Sequence, residues 1–384
     1  MQDNTPPPWL NPRFRLVTGG RDWTWADLAA RAEMVADGPL VADGKDLPGT
    51  IAALVAGWHR AVPIAMLRGG LPPPEDTGLS GRLLLLETSG TTGTPKRIIR
   101  PFDTILAGVE VPRGGDGGRW LLTYDVCGYA GLQVLLTAMA GGGVLLADPG
   151  VDATRLVRMA AEQGATHISA TPSFWRVLLL SGIRPPLARI TIGGEAVDQP
   201  LLDMLVRHFP GVPVRCIYAS TEGGRLFTVA DGREGFPAVW LSQPPADISF
   251  RIWNDMLQVK RSDDWIDTGD LVEAVEDRVL FRGRNDMIVN IGGQKVNPAL
   301  AETRLLSLPG IRDAVVYGIA NPITGSILAA DIVAPDWRED EGWRTRVTQA
   351  FTDLPAPARP RRVRLLDALP LSTAGKKRRI AEEA

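Results

Sequence analysis

The chain has 384 residues, a formal net charge of −2, 45% hydrophobic residues and 22% charged residues. That length is ample for two or three units with large cores, and the composition is that of a soluble globular protein. Balanced charge speaks against nucleic acid as the main partner, and no apolar run approaches the ~20 residues of a membrane span.

The N-terminus, M-Q-D-N-T-P-P-P-W, lacks the basic head and apolar stretch of a secretion signal. The two cysteines, Cys127 and Cys216, form no disulfide framework, so a cytoplasmic setting is expected. His59, His167 and His208 are scattered without ligand spacing, which argues against a zinc site. Residues 1–20 are Pro-rich and expected to be irregular. Thr24 reads as the cap of a helix with Asp27 in its first turn, continuing to about Gly38. A second, strongly apolar helix is expected over 50–61, leading into a strand over 62–66.

Leu83 to Leu86 reads as a buried strand, and Ile98 and Ile99 resume one. Between them lies Thr88-Ser89-Gly90-Thr91-Thr92-Gly93-Thr94-Pro95-Lys96. Gly90 and Gly93 let the backbone turn and approach a ligand closely. Backbone amides, the hydroxyls of Thr88, Ser89, Thr91 and Thr92, and the Lys96 cation together suit a polyphosphate cradle. An ordinary hairpin loop is the alternative. The segment is not the nucleotide loop G-x-x-x-x-G-K-[ST], because Thr94-Pro95 intervenes before the lysine.

After Arg100, short apolar strands alternate with amphipathic helices. Strands are expected over 120–123, 144–147, 167–170, 189–192 and 214–218, and helices over 131–140, 153–163, 173–180 and 200–208. This alternation predicts a parallel sheet covered by helices, with ligands beyond the carboxyl ends of its strands. Gly193-Gly194-Glu195 and Ala219-Ser220-Thr221-Glu222 occupy such positions. From Arg225 the pattern changes to short β-type runs at 226–229, 239–241, 248–253, 257–260 and 279–282, suggesting a small antiparallel unit. Beyond Gly283-Arg284 an α+β segment of about 100 residues follows. Strands are expected there over 311–319 and 327–333, helices near 298–306 and 343–351, and a Pro/Ala linker over 354–360. The basic run Lys376 to Arg379 reads by itself as a solvated tail.

The segment from Thr88 to Lys96 resembles the phosphate loop of the adenylate-forming superfamily: acyl- and aryl-CoA ligases, adenylation domains and luciferases. Four further segments resemble that family in its order. Tyr218-Ala219-Ser220-Thr221-Glu222 is similar to its Y-G-x-T-E segment, which implies a tyrosine on adenine, Thr221 at the α-phosphate and Glu222 on Mg²⁺. A hard cation on phosphates needs only one or two such carboxylates. Thr268-Gly269-Asp270 is similar to the T-G-D segment, which implies Asp270 on the ribose hydroxyls. Gly283-Arg284-Asn285-Asp286, with Gly292-Gly293-Gln294-Lys295, is similar to the hinge and glycine loop. That likeness implies Arg284 at ribose or phosphate, Asp286 as pivot, and Gly292 and Gly293 beside a thiol channel. Leu369-Pro370-Leu371-Ser372-Thr373-Ala374-Gly375-Lys376 is similar to the C-terminal segment, which places Lys376 on the catalytic lysine. Gly193-Gly194-Glu195 resembles the turn lining adenine. Read without the family, these segments are polar turns.

The resemblance implies an α/β fold. A large N-terminal domain with parallel sheets spans 1–283, its β-rich part from about 225, and a mobile C-terminal α+β domain spans 284–384. It also implies ATP, Mg²⁺ and CoA, or a carrier-protein phosphopantetheine, and a two-step reaction through an acyl-adenylate. A homodimer is a further expectation. The acyl pocket falls at Tyr124, Asp125, Tyr129, Phe174 and Trp175, with Gly194 beside it, by family position only. Two departures stand out. The part before the phosphate loop is short for the family. Tyr124-Asp125-Val126-Cys127 is similar to the F-D-x-S of peptide-synthetase domains, whose aspartate holds an α-amino group. A surface turn or helix cap at Asp125 is the alternative. Three readings stay open: an AMP-forming acyl- or aryl-CoA ligase, an amino-acid adenylating enzyme that loads a carrier thiol, and a non-catalytic nucleotide-binding relative. Lys96, Glu222, Asp270, Arg284 and Lys376 together argue against the third.

Overall fold

A computed structural model describes residues 5–69, 71–72, 74, 78–88, 96–111, 117–221, 223–245, 248–260, 264–340, 342–372 and 375–379. Its largest element is an eight-stranded sheet. The strands Val214–Ser220, Arg189–Gly193, His167–Ala170, Arg119–Leu122, Val144–Leu146 and Arg15–Thr18 run parallel across its middle. The helices Tyr129–Gly141, Ala153–Glu162, Pro172–Ser181 and Gln199–His208 connect these strands. Each of the last three starts where a side chain satisfies a free backbone donor. Asp152 accepts from Arg155 N, Thr171 from Phe174 N, and Asp198 from Leu201 N. Leu121, Ile168, Trp175, Leu178, Ile190 and Leu205 fill the space between sheet and helices.

A second sheet of four strands flanks the segment expected to bind phosphate. Leu40–Asp43, Ile64–Leu67 and Leu83–Thr88 are parallel, and Lys96–Pro101 returns antiparallel. The register pairs Thr88 with Lys96, so the ends of the loop are fixed by a hairpin. The helix Leu47–Arg60 buries Ile51 and Leu54 against Met66, Leu84 and Phe102.

A five-stranded antiparallel sheet follows, ordered Phe236–Pro237, Arg278–Arg284, Trp265–Val275, Met256–Lys260, Ser249–Trp253. The C-terminal unit has its own core, in which Leu305, Val316, Leu328, Ile332, Trp343 and Phe351 pack together. It is built from the strands Asp313–Asn321, Gly325–Val333 and Arg362–Leu365 with the helices Pro298–Leu306 and Trp343–Gln349. Among the described residues no helix is long and apolar enough to cross a membrane.

The helix–strand alternation over 119–220 matches expectation to within a residue or two. The differences lie elsewhere. The Pro-rich start contributes Arg15–Thr18 and Arg21–Trp23 to the edge of the large sheet. Runs of four and three residues are too short to show a period. Gly224–Val229 pairs with Val214–Ser220 and so closes the large sheet, not the β-rich one. Residues 239–241 belong to a 3₁₀ turn, Ala238–Leu241. The 11-residue strand Trp265–Val275 passes through Thr268-Gly269-Asp270. Gly269 there has φ +75°, and this kink hides the alternation. Val289–Ile291 and Gln294–Val296 form a hairpin whose Gly292 and Gly293 have φ of +57° and +82°. Two successive left-handed residues are what a two-residue hairpin turn demands.

Candidate active site

The site begins with a turn at the C-terminus. Leu371 bridges Lys377, Ser372 N donates to Lys376 O at 2.7 Å, and Gly375 N donates to Ser372 O at 2.8 Å. Gly375 has φ +70°, a value an L side chain rarely tolerates. This turn carries Lys376 to the carboxyl edge of the large sheet. There the Thr171 hydroxyl donates to Gly375 O. Glu195 Oε1 accepts from Lys377 N at 3.0 Å, while Oε2 accepts from Ser173 N at 3.1 Å and Ser173 Oγ at 2.6 Å. Gly194, with φ +85°, lies below the lysine: a Cβ on it would stand 3.7 Å from Lys376 Cε. Tyr124 completes this floor, its hydroxyl donating to Gly193 O at 3.3 Å.

Solvent reaches the Lys376 side chain, yet protein surrounds it on enough sides to lower its pKa. Desolvation is the main cause. Glu195 pulls the value up, Arg284 and Arg68 push it down, and Asp270 pulls it up. Lys376 is thus within electrostatic reach of four charged groups from distant parts of the chain.

One of them, Asp270, accepts from the Tyr218 hydroxyl and lies 3.4 Å from Arg284 Nη1. Burial raises its pKa, with the Tyr218 hydrogen bond and Arg284 opposing. Burial also raises the Tyr218 phenol, and the Asp270 charge adds to it. The Tyr218 ring stacks on Phe227 at 4.9 Å and Phe281 at 5.1 Å. Arg284 donates to Thr268 O at 3.0 Å and grips both oxygens of Asp286 at 3.2 Å. Arg284 and Asp270 on the β-rich sheet and Tyr218 on the large sheet therefore form one connected polar group between the two.

The fourth charge, Arg68, follows the strand Ile64–Leu67. Its Nε meets Asp125 Oδ2 at 2.9 Å, its Nη1 reaches Glu87 O at 3.4 Å, and its amide donates to Glu87 Oε2 at 3.1 Å. Asp125 Oδ1 also accepts from Cys127 N at 2.9 Å. The Asp125 carboxylate is thus neutralised in place, a cation the motif gave no hint of.

The other expected residues divide into four groups. Thr221 lies close by, its carbonyl accepting from Arg100 Nη1 at 2.9 Å. Ser220 Oγ accepts from Gly223 N at 2.8 Å, Ala219 is exposed, and the Tyr129 hydroxyl accepts from Arg225 N at 3.0 Å. Phe174 and Trp175 are instead 2% and 0% exposed inside the sheet–helix core, with Trp175 Nε1 donating to Thr191 O at 3.1 Å. Helix Pro172–Ser181 turns this flank onto the sheet, where both side chains pack in the core. Trp175→Ala is therefore expected to cost about 3–5 kcal/mol of stability, as large core truncations do. Urea unfolding checks this, and an unchanged midpoint with altered acid selectivity would return the residue to the pocket. Gly292 and Gly293 sit on an exposed turn, where a Cβ meets nothing closer than Thr324 Cγ2 at 3.9 Å. Turn geometry alone accounts for them here. Ser89, Gly90, Thr91, Thr92, Gly93 and Glu222 lie outside the described residues, and only the backbone pairing of Thr88 and Lys96 marks the loop's ends. Among the described residues no group of three or more His, Cys, Asp or Glu could hold a metal.

Sequence reasoning overlooked Arg68, Thr171, Ser173, Arg176 and Lys377. Thr171-Pro172-Ser173 stands directly after a strand and caps the next helix, so the strand-end rule could have found it. Neither cysteine offers a nucleophile. Cys127 is 0% exposed, donates to Ala42 O at 3.4 Å, and burial pushes its thiol far up. Cys216 is pushed up to about 12, again by burial.

Fold and site together define a nucleotide-handling α/β enzyme whose lysine-bearing C-terminal turn docks on the carboxyl edge of a parallel sheet. The chain belongs to the AMP-binding enzyme family: that family's model matches residues 70–264, and the model of the family's C-terminal domain matches 301–376. A probable 2-succinylbenzoate–CoA ligase of Mycobacterium tuberculosis is 27% identical over 370 residues, covering 87% of this chain and 91% of that protein. The crystal structure of the anthranilate CoA ligase AuaEII with anthranoyl-AMP superposes with a TM-score of 0.72 at 18% identity, covering 96% of this chain and 93% of that one. The Bacillus subtilis O-succinylbenzoate coenzyme A synthetase, in complex with ATP and magnesium ion, gives 0.65 at 18% identity and 95% coverage of each.

Proposed function

We propose that the protein joins a carboxylic acid to the thiol of CoA by way of an acyl-adenylate. One observation carries this reading: Lys376, from the C-terminal unit, stands over Gly194 within electrostatic reach of Asp270, Arg284 and Arg68. Such a convergence suits one ligand with a charged middle and two polar ends. In this reading the acid's own carboxylate attacks the α-phosphorus of ATP, and pyrophosphate leaves. No side-chain nucleophile is required, so the protein acts by placing the reactants and balancing charge. Lys376 bridges the attacking carboxylate and the α-phosphate. Asp270, already holding two donors, exchanges them for ribose hydroxyls, and Arg284 follows. The backbone at 193–195 meets the adenine, whereas Tyr218, expected there, has its ring stacked between Phe227 and Phe281 and positions Asp270 through its hydroxyl. Thr221 meets the α-phosphate, and the loop 88–96 holds the outer phosphates. Glu222 would help hold Mg²⁺, which would supply further charge balance at the phosphates. The thiol then displaces AMP after the unit beyond residue 283 rotates about Asp286, bringing Gly292 and Gly293 to the thiol channel.

The state of Asp125 bears on the acid. An aspartate that receives an amino group must offer a free carboxylate, and this one is committed to Arg68 and Cys127 N. That supports acids lacking an α-amino group, and CoA over a carrier-protein thiol. The test is pyrophosphate release across a panel of carboxylic and amino acids, with and without CoA, for wild type and Asp125→Ala. CoA-dependent turnover of simple acids is expected. Loss of Asp125 should weaken all acids alike, by about 10-fold, because it releases Arg68 from a charge-assisted bond. If only amino-bearing acids lost activity, the carrier-loading reading would replace this one.

A further inference from the structure

The C-terminal unit is held on the large sheet by a buried chain of charges. Arg176, 3% exposed on helix Pro172–Ser181, is paired with Asp198 on its own side. Across the seam its Nη1 donates to Arg312 O at 3.1 Å, and its Nε lies 3.3 Å from Asp313 Oδ1. Asp313, 3% exposed, also receives Lys377 Nζ at 2.8 Å. Lys377 donates onward to Ala314 O at 2.6 Å and reaches Glu302 Oε1 at 3.3 Å. Glu302 in turn pairs with Arg379 at 2.7 Å. Lys377 is the residue after Lys376, so a side chain pinned at this position aims its neighbour the opposite way, into the site.

Two features distinguish this seam from a permanent weld. First, its charges balance separately on each side. Arg176 and Asp198 cancel on the sheet side, Lys377 and Arg379 cancel Glu302 and Asp313 on the other, and the half-buried Glu195 on the sheet side keeps its two Ser173 donors. Parting the two surfaces strands no lone buried charge, which is the outcome that makes broken internal ion pairs costly. Second, the Arg176–Asp313 ion pair that crosses the seam is loosely aligned, although hydrogen bonds from Thr171 to Gly375 O and from Lys377 N to Glu195 also cross it. Arg176 Nε is buried yet lacks hydrogen-bond alignment with Asp313, whereas the bonds within each half are well formed. A cavity of ≈ 460 Å³ lined by Arg176, Arg207, Arg312 and Asp336 borders the seam, room enough for water to solvate the parted groups.

We propose that Arg176 is a positioning residue: through Asp313 and Lys377 it sets the aim of Lys376 and latches the C-terminal unit in the adenylating arrangement, releasing it for the second half-reaction. This rests on the two-step reading above.

The test uses Arg176→Gln and, separately, Asp313→Asn, each of which removes one side of the crossing contact. Two measurements are made on the full chain. Nitroxides at Met34→Cys and Ile323→Cys, both exposed sites, report the separation of the two units by pulsed spin resonance, in a Cys216→Ser background. Rates are taken for ATP–pyrophosphate exchange and for thioester formation from supplied acyl-adenylate and CoA. Both variants should shift the distance distribution towards a second population. Exchange should fall about 10- to 100-fold, the range of a conformational coupling, while the thioester step changes less than about 3-fold. An unchanged distribution in a folded variant, or a parallel fall of both rates, overturns the latch. If wild type activates no acid yet the distribution shifts, the latch stands and the enzymatic reading falls.

Discussion

Lys376→Ala should lose adenylation by about 100- to 1,000-fold, or ~2.7–4 kcal/mol, the usual loss for one preorganised electrostatic donor. The fold survives, because the lysine's side chain is the tip of a turn whose hydrogen bonds are made by backbone and by its neighbours. Thioester formation from supplied acyl-adenylate changes little, since that step begins after the lysine's work is done. The pH profile gives a second check. Desolvation lowers the Lys376 pKa, so the proton leaves at a lower pH than from a free lysine. The useful form is the cation, so adenylation fades as pH rises through that lowered value. The alkaline limb should therefore lie below the ordinary ~10.4. Lys376→Arg should move the limb beyond the accessible range while keeping part of the rate. Full pyrophosphate exchange in Lys376→Ala would remove the residue from the chemistry.

Asp286→Pro separates the two half-reactions in the other direction. Asp286 sits in a 3₁₀ turn, Asn285–Met287, just past the last strand of the β-rich sheet. Proline's fixed φ suits such a turn, so the observed arrangement is kept. Arg284 loses the Asp286 carboxylate but retains Thr268 O and Asp270. Pyrophosphate exchange should thus persist with a modestly raised KM for ATP. Rotation about this backbone position, the pivot proposed above, is what the substitution is expected to withdraw. Thioester formation should fall roughly 100-fold, near the upper end of what conformational coupling carries. Equal rates in both half-reactions, measured on the same preparation, would move the pivot elsewhere.

How much of this was legible beforehand depends on whether the cause was local. Thr24 and Asp27 form their reciprocal cap as the pattern implies, because all the atoms lie within one turn. The parallel sheet follows from strand–helix alternation, a property of each segment's own period. The site's polar turns stand where strand ends place them. The ring of charges was not legible in the same way. Arg68 and Asp125 are 57 positions apart, and Arg176 and Asp313 are further still. Nothing in either member of such a pair announces the other. The burial of Phe174 and Trp175 was hidden for a related reason: a position borrowed from a family says where a residue stands in the chain, not which flank of its helix meets the sheet. Lys377 was read with its neighbours as a solvated run, but Asp313 and Glu302 make it one of the more enclosed cations here.

The condition of the two cysteines has a consequence for a protein that makes an activated acyl group. A mixed anhydride with AMP is a potent electrophile, and a thiolate is what it reacts with most readily. Cys127 is sealed beneath Ala42 and Cys216 holds its proton to about 12, so each stays a thiol at neutral pH. Self-acylation through sulfur then has no foothold, and an incoming thiol meets no rival thiolate from the two cysteines.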